Sequence, residues 1–255
     1  MSYPAPFYAA LHRGTPGDLA HYRRLCKGAS SVLELGCGYG RVVTSLAAPN
    51  RTIVGVEPDE QMLGLARDAV AGLPEEDRSG VTLIAGDMRT LDLGRRFDRV
   101  LVPFGGLYCM LDDRDLDAAL ATVARHLAPG GTAGFDVYRA DDFHAHAEPD
   151  DVPDDAHTPL ARVTVDGTDY EVLERSTWDK PAQRIDASYL YVDEVGRTIR
   201  GVIEQRYLLQ PQLEAALQRA GLELVEQRRD FGSPPEDEDD DEGLIIATVR
   251  AMGDS

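Results

Sequence analysis

A run of glycines at alternate positions has the clearest chemical potential in this chain. The stretch from Gly36 to Gly40 follows an apolar segment and precedes a helical one. Glycine leaves room for a ligand beside the backbone and tolerates the positive φ angles of a tight turn. Arg41 stands where the dinucleotide fingerprint G-x-G-x-x-G has its last glycine, and Glu34 lies two residues before the first one. Because a carboxylate there suits an ammonium better than a pyrophosphate, the motif favours an amino-acid nucleoside over NAD.

Two further carboxylates stand at the ends of predicted strands. Arg51 to Val56 predicts a buried parallel strand that ends at Glu57. An acceptor-only group at the end of the second strand can pair with two ribose hydroxyls. Val81 to Met88 repeats this pattern and carries Asp87 near its end, and Phe97 to Val102 predicts a fourth strand. The three acids are therefore expected at one edge of a sheet.

Acidic strand ends in the order Glu34, Glu57 and Asp87, with these spacings, resemble the class I S-adenosylmethionine-dependent methyltransferases. The resemblance covers roughly residues 7 to 250, and its specific motifs lie in the first half. Within that class, the chain resembles the bacterial small-molecule branch, which is similar to glycine-type and aminosugar N-methyltransferases. It implies S-adenosylmethionine as the cofactor, S-adenosylhomocysteine as the product and a small-molecule acceptor.

The resemblance also implies roles in a cofactor site. Glu34 would lie near the methionine amino group, Glu57 would bind the ribose hydroxyls, and Asp87 would accept from the adenine amino group. The backbone N–H of Met88 would face a ring nitrogen, and Met62 would pack against the adenosine unless it is an ordinary core residue. The predicted cofactor site comprises Glu34, Gly36, Cys37, Gly38, Gly40, Glu57, Pro58, Met62, Asp87, Met88, Pro103 and Phe104.

The acceptor is expected beyond the carboxyl ends of the strands, because open α/β sheets bind their ligands there. Asp136 and Tyr138, at the predicted end of the fifth strand, are the first candidates to orient it, followed by His12 and His144. In similar enzymes an aromatic residue of the leading segment closes over the cofactor, which implies this role for Tyr8; the alternative is a surface tyrosine. The predicted catalytic residues are Tyr8, His12, Asp136 and Tyr138. The predicted substrate contacts are Tyr108, Arg206 and Tyr207, the last two being explained equally well by sheet packing and surface pairing.

The predicted architecture is an α/β fold with a Rossmann-like, doubly wound, seven-stranded and mostly parallel sheet. A helix is expected over Asp112 to Leu127, where Pro129-Gly130-Gly131 stops it before a strand over Thr132 to Val137. From Ala161 to Leu209 alternating apolar residues predict antiparallel strands laid across the open end of the main sheet. We expect one domain over residues 1–255, with a lid over about residues 1–27 and this insertion over about 158–209.

Charge is concentrated in two runs. The formal net charge is −19, and the runs at 148–155 and 236–242 hold five and seven acids without Lys or Arg. They predict solvated loops, or alternatively a docking site for a basic partner, and a halophilic source would also favour such surfaces. The remaining surface lacks the clustered Lys and Arg that a nucleic-acid backbone needs.

Location and metal content follow from what the sequence lacks. No apolar stretch is long enough to span a bilayer, and the first six residues do not resemble a signal peptide. Cys26, Cys37 and Cys109 have no zinc or paired-thiol spacing, so a reduced cytoplasmic protein is predicted. His144 and His146 lack a third ligand, and no metal is expected.

The predicted function is methyl transfer from S-adenosylmethionine to a small molecule, with nitrogen favoured over oxygen as the acceptor. The preference for nitrogen rests on overall similarity to the N-methyltransferases. Methylation of oxygen is one alternative. A nicotinamide oxidoreductase is another, disfavoured by Arg41 and Glu34. A noncatalytic cofactor-sensing or partner-binding protein is a third.

Overall fold

A large mixed sheet and a smaller antiparallel sheet organise the molecule. The computed structural model describes residues 3–148, 156–232 and 243–253. Its strands are β1 (Ser31–Leu35), β2 (Thr52–Glu57), β3 (Val81–Ala85), β4 (Phe97–Val102), β5 (Leu127–Tyr138), β6 (Thr158–Val165), β7 (Thr168–Asp179), β8 (Arg184–Asp193), β9 (Thr198–Arg206), β10 (Leu222–Arg228) and β11 (Leu244–Ala251). Its helices are α1 (Ala5–Leu11), α2 (Asp18–Leu25), α3 (Arg41–Leu46), α4 (Glu60–Ala71), α5 (Glu75–Arg78), α6 (Asp113–His126), α7 (Asp141–His146) and α8 (Gln210–Arg219), with a 3₁₀ turn at Gly106–Cys109.

The main sheet has the order β10-β11-β5-β4-β1-β2-β3. β1 to β5 are parallel, whereas β11 runs antiparallel to both β5 and β10. The central strands are nearly continuous apolar runs because both faces of the sheet are covered. The strand order reverses at β1, which lies between β2 and β4, and this creates a crevice at the carboxyl ends. The predicted fold class is confirmed.

The smaller sheet contains β6, β7, β8 and β9 in sequence order, all antiparallel. It corresponds to the predicted insertion. Its inner face packs on the leader, which is the name used here for residues 3–18, through an aromatic cluster that includes Tyr3, Phe7 and Tyr191. Gly201 makes this contact possible, since a Cβ there would come within 2.6 Å of the Tyr3 ring. The insertion and the leader thus meet beside the crevice.

Several boundaries differ from the sequence predictions. Pro129-Gly130-Gly131 lies inside β5, because the chain leaves α6 directly into a strand whose pairing with β4 is irregular between Phe97 and Arg99. α1 and α7 were not predicted; both are shorter than eight residues, so their apolar periodicity is weak. β9 ends at Arg206, and Leu208 already belongs to the connection to α8.

The two acidic runs fall almost entirely outside the described residues. Only Glu148 of the first run is described, and the run from Glu236 to Glu242 is not. Among the described residues, no helix combines the length and apolar character needed to cross a membrane.

Candidate active site

A cavity of about 430 Å³ opens at the carboxyl ends of β1, β2 and β4. Its volume falls in the roughly 300–1,000 Å³ range of small-molecule sites. The described lining residues are Tyr3, Tyr8, His12, Glu34, Gly36, Cys37, Gly38, Tyr39, Arg41, Val42, Glu57, Pro58, Asp59, Met62, Asp87, Met88, Arg89, Pro103, Phe104, Gly106, Cys109, Met110, Leu111 and Glu204. Eleven of the twelve residues predicted for the cofactor are among them, and Gly40 is the exception.

The glycine loop forms one wall. The N–H groups of Gly36 and Cys37 donate to the carbonyl of Val56 at 2.8 and 3.0 Å, which ties the loop to β2. Gly38 has a φ of 53°, and a Cβ there would meet no atom within 4 Å. Gly40 instead allows α4 to pack closely, because a Cβ added at this position would lie 3.1 Å from Ala66. Gly38 therefore keeps the cavity open, whereas Gly40 faces a helix.

Glu34 is a buried carboxyl in the cavity wall. The residue is 2% exposed, and its Oε2 has no hydrogen-bond partner among the described residues. Burial raises the pKa of Glu34 to about 8, a shift that Arg41 opposes and Glu57 reinforces. An unpartnered buried carboxyl is costly, and an ammonium group would neutralise its ionised form. Glu34 could hold the amino group of an amino-acid ligand.

Glu57 closes the end of β2. Its Oε2 accepts from the N–H of Gly38 at 2.9 Å, and its Oε1 accepts from the N–H of Asp59 at 3.0 Å. Burial raises the pKa of Glu57, and these two hydrogen bonds oppose the shift. Each carboxylate oxygen can accept a further bond, so Glu57 could also bind a pair of hydroxyls.

Asp87 lies at the far end of the cavity and is engaged by Arg89. The Arg89 guanidinium donates to Asp87 and also pairs with Asp115 at 2.5 Å. These hydrogen bonds lower the pKa of Asp87. Met88 is largely buried, and its Cε would lie 3.3 Å from a Cβ at Gly36. Asp87 is thus a carboxylate held in place by Arg89.

The opposite end of the cavity is aromatic. The rings of Tyr8 and His12 lie 4.4 Å apart, and the Tyr3 hydroxyl is 3.0 Å from His12 Nε2. Burial lowers the pKa of His12 to about 4, so its imidazole is neutral at pH 7. Phe104 lies on the other side of His12, with ring centroids 6.5 Å apart. Glu204 of β9 adds a carboxylate to the lining.

Two loop side chains hold the leader over the cavity. Tyr39 donates from its hydroxyl to the carbonyl of His12 at 3.0 Å. Arg41 forms an ion pair with Asp18 at 2.6 Å, and both side chains are largely buried. Gly14 lies against this guanidinium, since a Cβ there would come within 2.3 Å of it. The glycine loop and the leader are therefore held together by a hydrogen bond and an ion pair.

Other predicted site residues lie outside the lining. Asp136 is buried and accepts from the Tyr22 hydroxyl and from the N–H of Phe104, the latter at 2.9 Å. Burial raises its pKa. Because Asp136 faces α2, it holds Phe104 in place from behind the cavity wall. Tyr138 packs edge-on against Tyr108, with ring centroids 4.7 Å apart.

Arg206 and Tyr207, the predicted substrate contacts at the end of β9, also interact with residues outside the cavity lining. Arg206 pairs with Asp113 at 2.7 Å. Tyr207 is fully buried, and its hydroxyl lies 2.7 Å from His144 Nδ1 and accepts from Trp178 Nε1 at 3.0 Å. The cavity thus brings together Tyr8 and His12 of the predicted catalytic residues, while Asp136, Tyr138, Tyr108, Arg206 and Tyr207 support its surroundings.

Sequence reasoning missed several lining residues, among them Tyr3, Arg41 and Glu204. Arg41 was noted only as a departure from the dinucleotide motif, although its position directly after the glycines was a usable signal. Tyr3 and Glu204 lie far apart in the chain, and nothing in their local sequence marks them. No group of three or more metal-ligating side chains that could hold an ion occurs within residues 3–148, 156–232 and 243–253.

Comparisons with known proteins agree with this geometry. Residues 32–131 match the family described as "Methyltransferase domain". The chain is 28% identical over 194 residues to dTDP-3-amino-3,6-dideoxy-alpha-D-glucopyranose N,N-dimethyltransferase of Streptomyces fradiae, covering 73% of this chain and 69% of the relative.

Two solved structures extend the similarity over nearly the whole chain. The CcbJ methyltransferase from Streptomyces caelestis has a TM-score of 0.81 and 27% identity, with 99% of this chain and 97% of the other covered. CalS10 with bound SAM, an amino pentose methyltransferase from Micromonospora echinaspora involved in calicheamicin biosynthesis, has a TM-score of 0.66 and 26% identity, with 95% and 96% covered.

The fold, the acidic strand ends and these similarities support a class I S-adenosylmethionine-dependent methyltransferase. The chain is similar to the bacterial small-molecule branch of that class.

Proposed function

We propose that the protein transfers a methyl group from S-adenosylmethionine to an amine nitrogen of a small molecule. The observation that carries this proposal is the cavity, which joins three acidic strand ends to an aromatic end where His12 is a weak proton acceptor. Relatives in Streptomyces fradiae and Saccharopolyspora spinosa are named as N,N-dimethyltransferases of amino sugars, which supports nitrogen as the acceptor.

The cavity fits the cofactor by the chemistry of its wall. Glu34, buried and unpartnered at Oε2, would receive the methionine ammonium. Gly38 leaves space beside the backbone, and Glu57 would accept from the ribose hydroxyls. Asp87 and the N–H of Met88 would face the adenine, with Met62 against its ring. When bound, S-adenosylmethionine supplies a methyl group already activated by its sulfonium, and S-adenosylhomocysteine is the product.

The acceptor end suits an amine better than a hydroxyl. A neutral amine carries its own lone pair, whereas a hydroxyl benefits from a general base within hydrogen-bond reach. His12, with a pKa lowered to about 4, is a weak proton acceptor, and burial raises the pKa values of Tyr3 and Tyr8. We assign these residues to alignment of the acceptor and exclusion of water. After attack the methylated nitrogen releases one proton to solvent at the cavity mouth.

The other predicted catalytic residues take supporting roles in this proposal. Asp136 fixes Phe104, and Tyr138 packs beneath the connection that follows β4. Oxygen methylation, nicotinamide oxidoreduction and a noncatalytic role are not favoured. The proposal places the reaction in the cytoplasm, in keeping with three free cysteines.

A matched pair of acceptors tests the proposal. An amino sugar and its analogue with a hydroxyl in place of the amine are each incubated with S-adenosylmethionine, and methylated product is measured by mass spectrometry. We expect turnover of the amine at least tenfold above that of the hydroxyl. Faster methylation of the hydroxyl analogue would replace this proposal with an O-methyltransferase.

A further inference from the structure

The described lining of the cavity contains few positive charges. Of the described lining residues only Arg41 and Arg89 carry a permanent positive charge. Arg41 is paired with Asp18 at 2.6 Å, and Arg89 is shared between Asp87 and Asp115 at 2.5 Å each. Both guanidinium groups are therefore already neutralised by carboxylates. None of the residues outside the described ranges is Lys or Arg, so those segments cannot supply a basic side chain.

Two N–H groups of the glycine loop are already hydrogen-bonded within the protein. The N–H of Gly38 is bound by Glu57 at 2.9 Å, and the N–H of Gly40 is bound by the carbonyl of Cys37 at 2.9 Å. Phosphate groups in proteins are held by Arg, Lys or unpaired backbone N–H groups. The two guanidinium groups and these two loop N–H groups are therefore not free to hold a phosphate.

Glu204 adds a negative charge to the cavity lining. Its side chain is 58% exposed and lies 3.3 Å from the Arg184 guanidinium. Arg184 is held more closely by Asp186, at 2.8 Å, so Glu204 can accept from another cation without leaving Arg184 unpaired.

We propose that the acceptor is a cationic amine that carries no phosphate group, and that Glu204 recognises its ammonium before the amine loses a proton to solvent. This inference rests on the proposed N-methyltransferase function and names the substrate class for it. It differs from the nucleotide-linked amino sugars in the names of several relatives. A diphosphate would bring two negative charges toward a mouth that already carries Glu204.

Two probes that carry the same amine distinguish an acceptor without phosphate from a nucleotide-linked acceptor. They are methyl 3-amino-3,6-dideoxyglucoside and the corresponding dTDP-linked amino sugar, each titrated into the protein loaded with S-adenosylhomocysteine and then assayed with S-adenosylmethionine. We expect the glycoside to have a kcat/KM at least tenfold above that of the nucleotide-linked sugar. Added salt should raise the KM of the glycoside, because it screens the attraction to Glu204. A preference for the dTDP-linked sugar, or absence of binding by both probes, would overturn the inference.

Variants then test Glu204 itself. Glu204→Gln should raise the KM of the glycoside roughly threefold to tenfold, a range suited to a half-exposed charge pair, and leave affinity for S-adenosylhomocysteine unchanged. Glu204→Arg should reduce the difference in kcat/KM between the glycoside and the dTDP-linked sugar. Glu171→Gln, an exposed carboxylate on β7 outside the cavity lining, is the matched control and should change neither KM. An unchanged KM in Glu204→Gln contradicts the assignment. Failure of the proposed function is distinguishable, because a hydroxyl acceptor would then be methylated and neither amine would be.

Discussion

At the scale of single residues, one carboxyl links the fold to its ligand. Glu34 is buried in β1 without a partner at Oε2, which costs stability in the free protein and creates a receptor for an ammonium group. The acid at this position could be predicted from the sequence because it is tied to the glycines by fixed spacing. Its burial could not, since that depends on how α3 and the leader close around the loop.

Glu34 makes the stability of the free protein pH-dependent. Its folded pKa of about 8 lies above its ordinary value of 4.5, so its stabilising contribution is present below about pH 4.5 and is lost as pH rises through about 8. We expect the wild type to lose roughly 2 to 4 kcal/mol of unfolding free energy relative to Glu34→Gln between pH 5 and pH 9. Urea denaturation at several pH values measures this. Parallel pH profiles for the two proteins would show that Glu34 is not buried as described.

Glu57 supports both the loop and the ligand. We expect Glu57→Ala to weaken binding of S-adenosylhomocysteine by roughly 1 to 3 kcal/mol, because it removes charge-assisted contacts and frees two loop N–H groups. Calorimetry gives the affinity. Glu60→Ala, at an exposed neighbouring carboxylate of α4, serves as the control and should bind normally. Equal affinity of the Glu57 and Glu60 variants would remove Glu57 from the cofactor site.

At the scale of elements, the acceptor end depends on pieces that are distant in the chain. The glycine loop and three strand ends were predictable because each is a local pattern at the end of a strand. Tyr3 and Glu204 were not, because they reach the cavity only after the leader packs on the inserted sheet. For Asp136, the position at the end of a strand was predictable, but the direction of its side chain was not. Side chains alternate along β5, and only the assembled layers decide that this one faces Tyr22 and not the cavity.

The Arg41 to Asp18 ion pair should govern the position of the leader. Breaking a largely buried pair leaves an uncompensated charge, so we expect Asp18→Asn to cost about 3 kcal/mol of stability and to increase hydrogen exchange in α1. Turnover should fall more than affinity for S-adenosylhomocysteine does, since the leader carries Tyr8 and His12. Arg67→Gln, which breaks an exposed pair with Glu60, is the control and should change little. Unaltered exchange in α1 of Asp18→Asn would mean that other contacts hold the leader.

At the scale of the whole molecule, the fold class followed from alternating strands and helices and from the change to period-two patterns after residue 160. The overall charge of −19 was harder to interpret. Its two dense runs lie almost wholly beyond the described residues, while the acids of the cavity are few and individually placed. Net charge alone therefore could not distinguish a solvated surface from a charged site.

The second acidic run should be dispensable for cofactor binding. Replacing residues 236–242 with a short neutral turn is expected to change affinity for S-adenosylhomocysteine less than twofold, because such a run is typical of a solvated loop. Calorimetry on the shortened protein measures the affinity, and circular dichroism checks its fold. A large loss of affinity in a well-folded variant would show that the run shapes or covers the cavity.

Transfer of a labelled methyl group tests the central claim most directly. The protein is incubated with S-adenosylmethionine carrying a ¹³C-methyl group and with an amino sugar that offers both amine and hydroxyl groups, and the product is examined by heteronuclear NMR. We predict that the labelled methyl is bonded to nitrogen, with one S-adenosylhomocysteine formed for each methyl transferred. A labelled methyl bonded to oxygen, or S-adenosylhomocysteine binding without methyl transfer to any amine, would contradict the account.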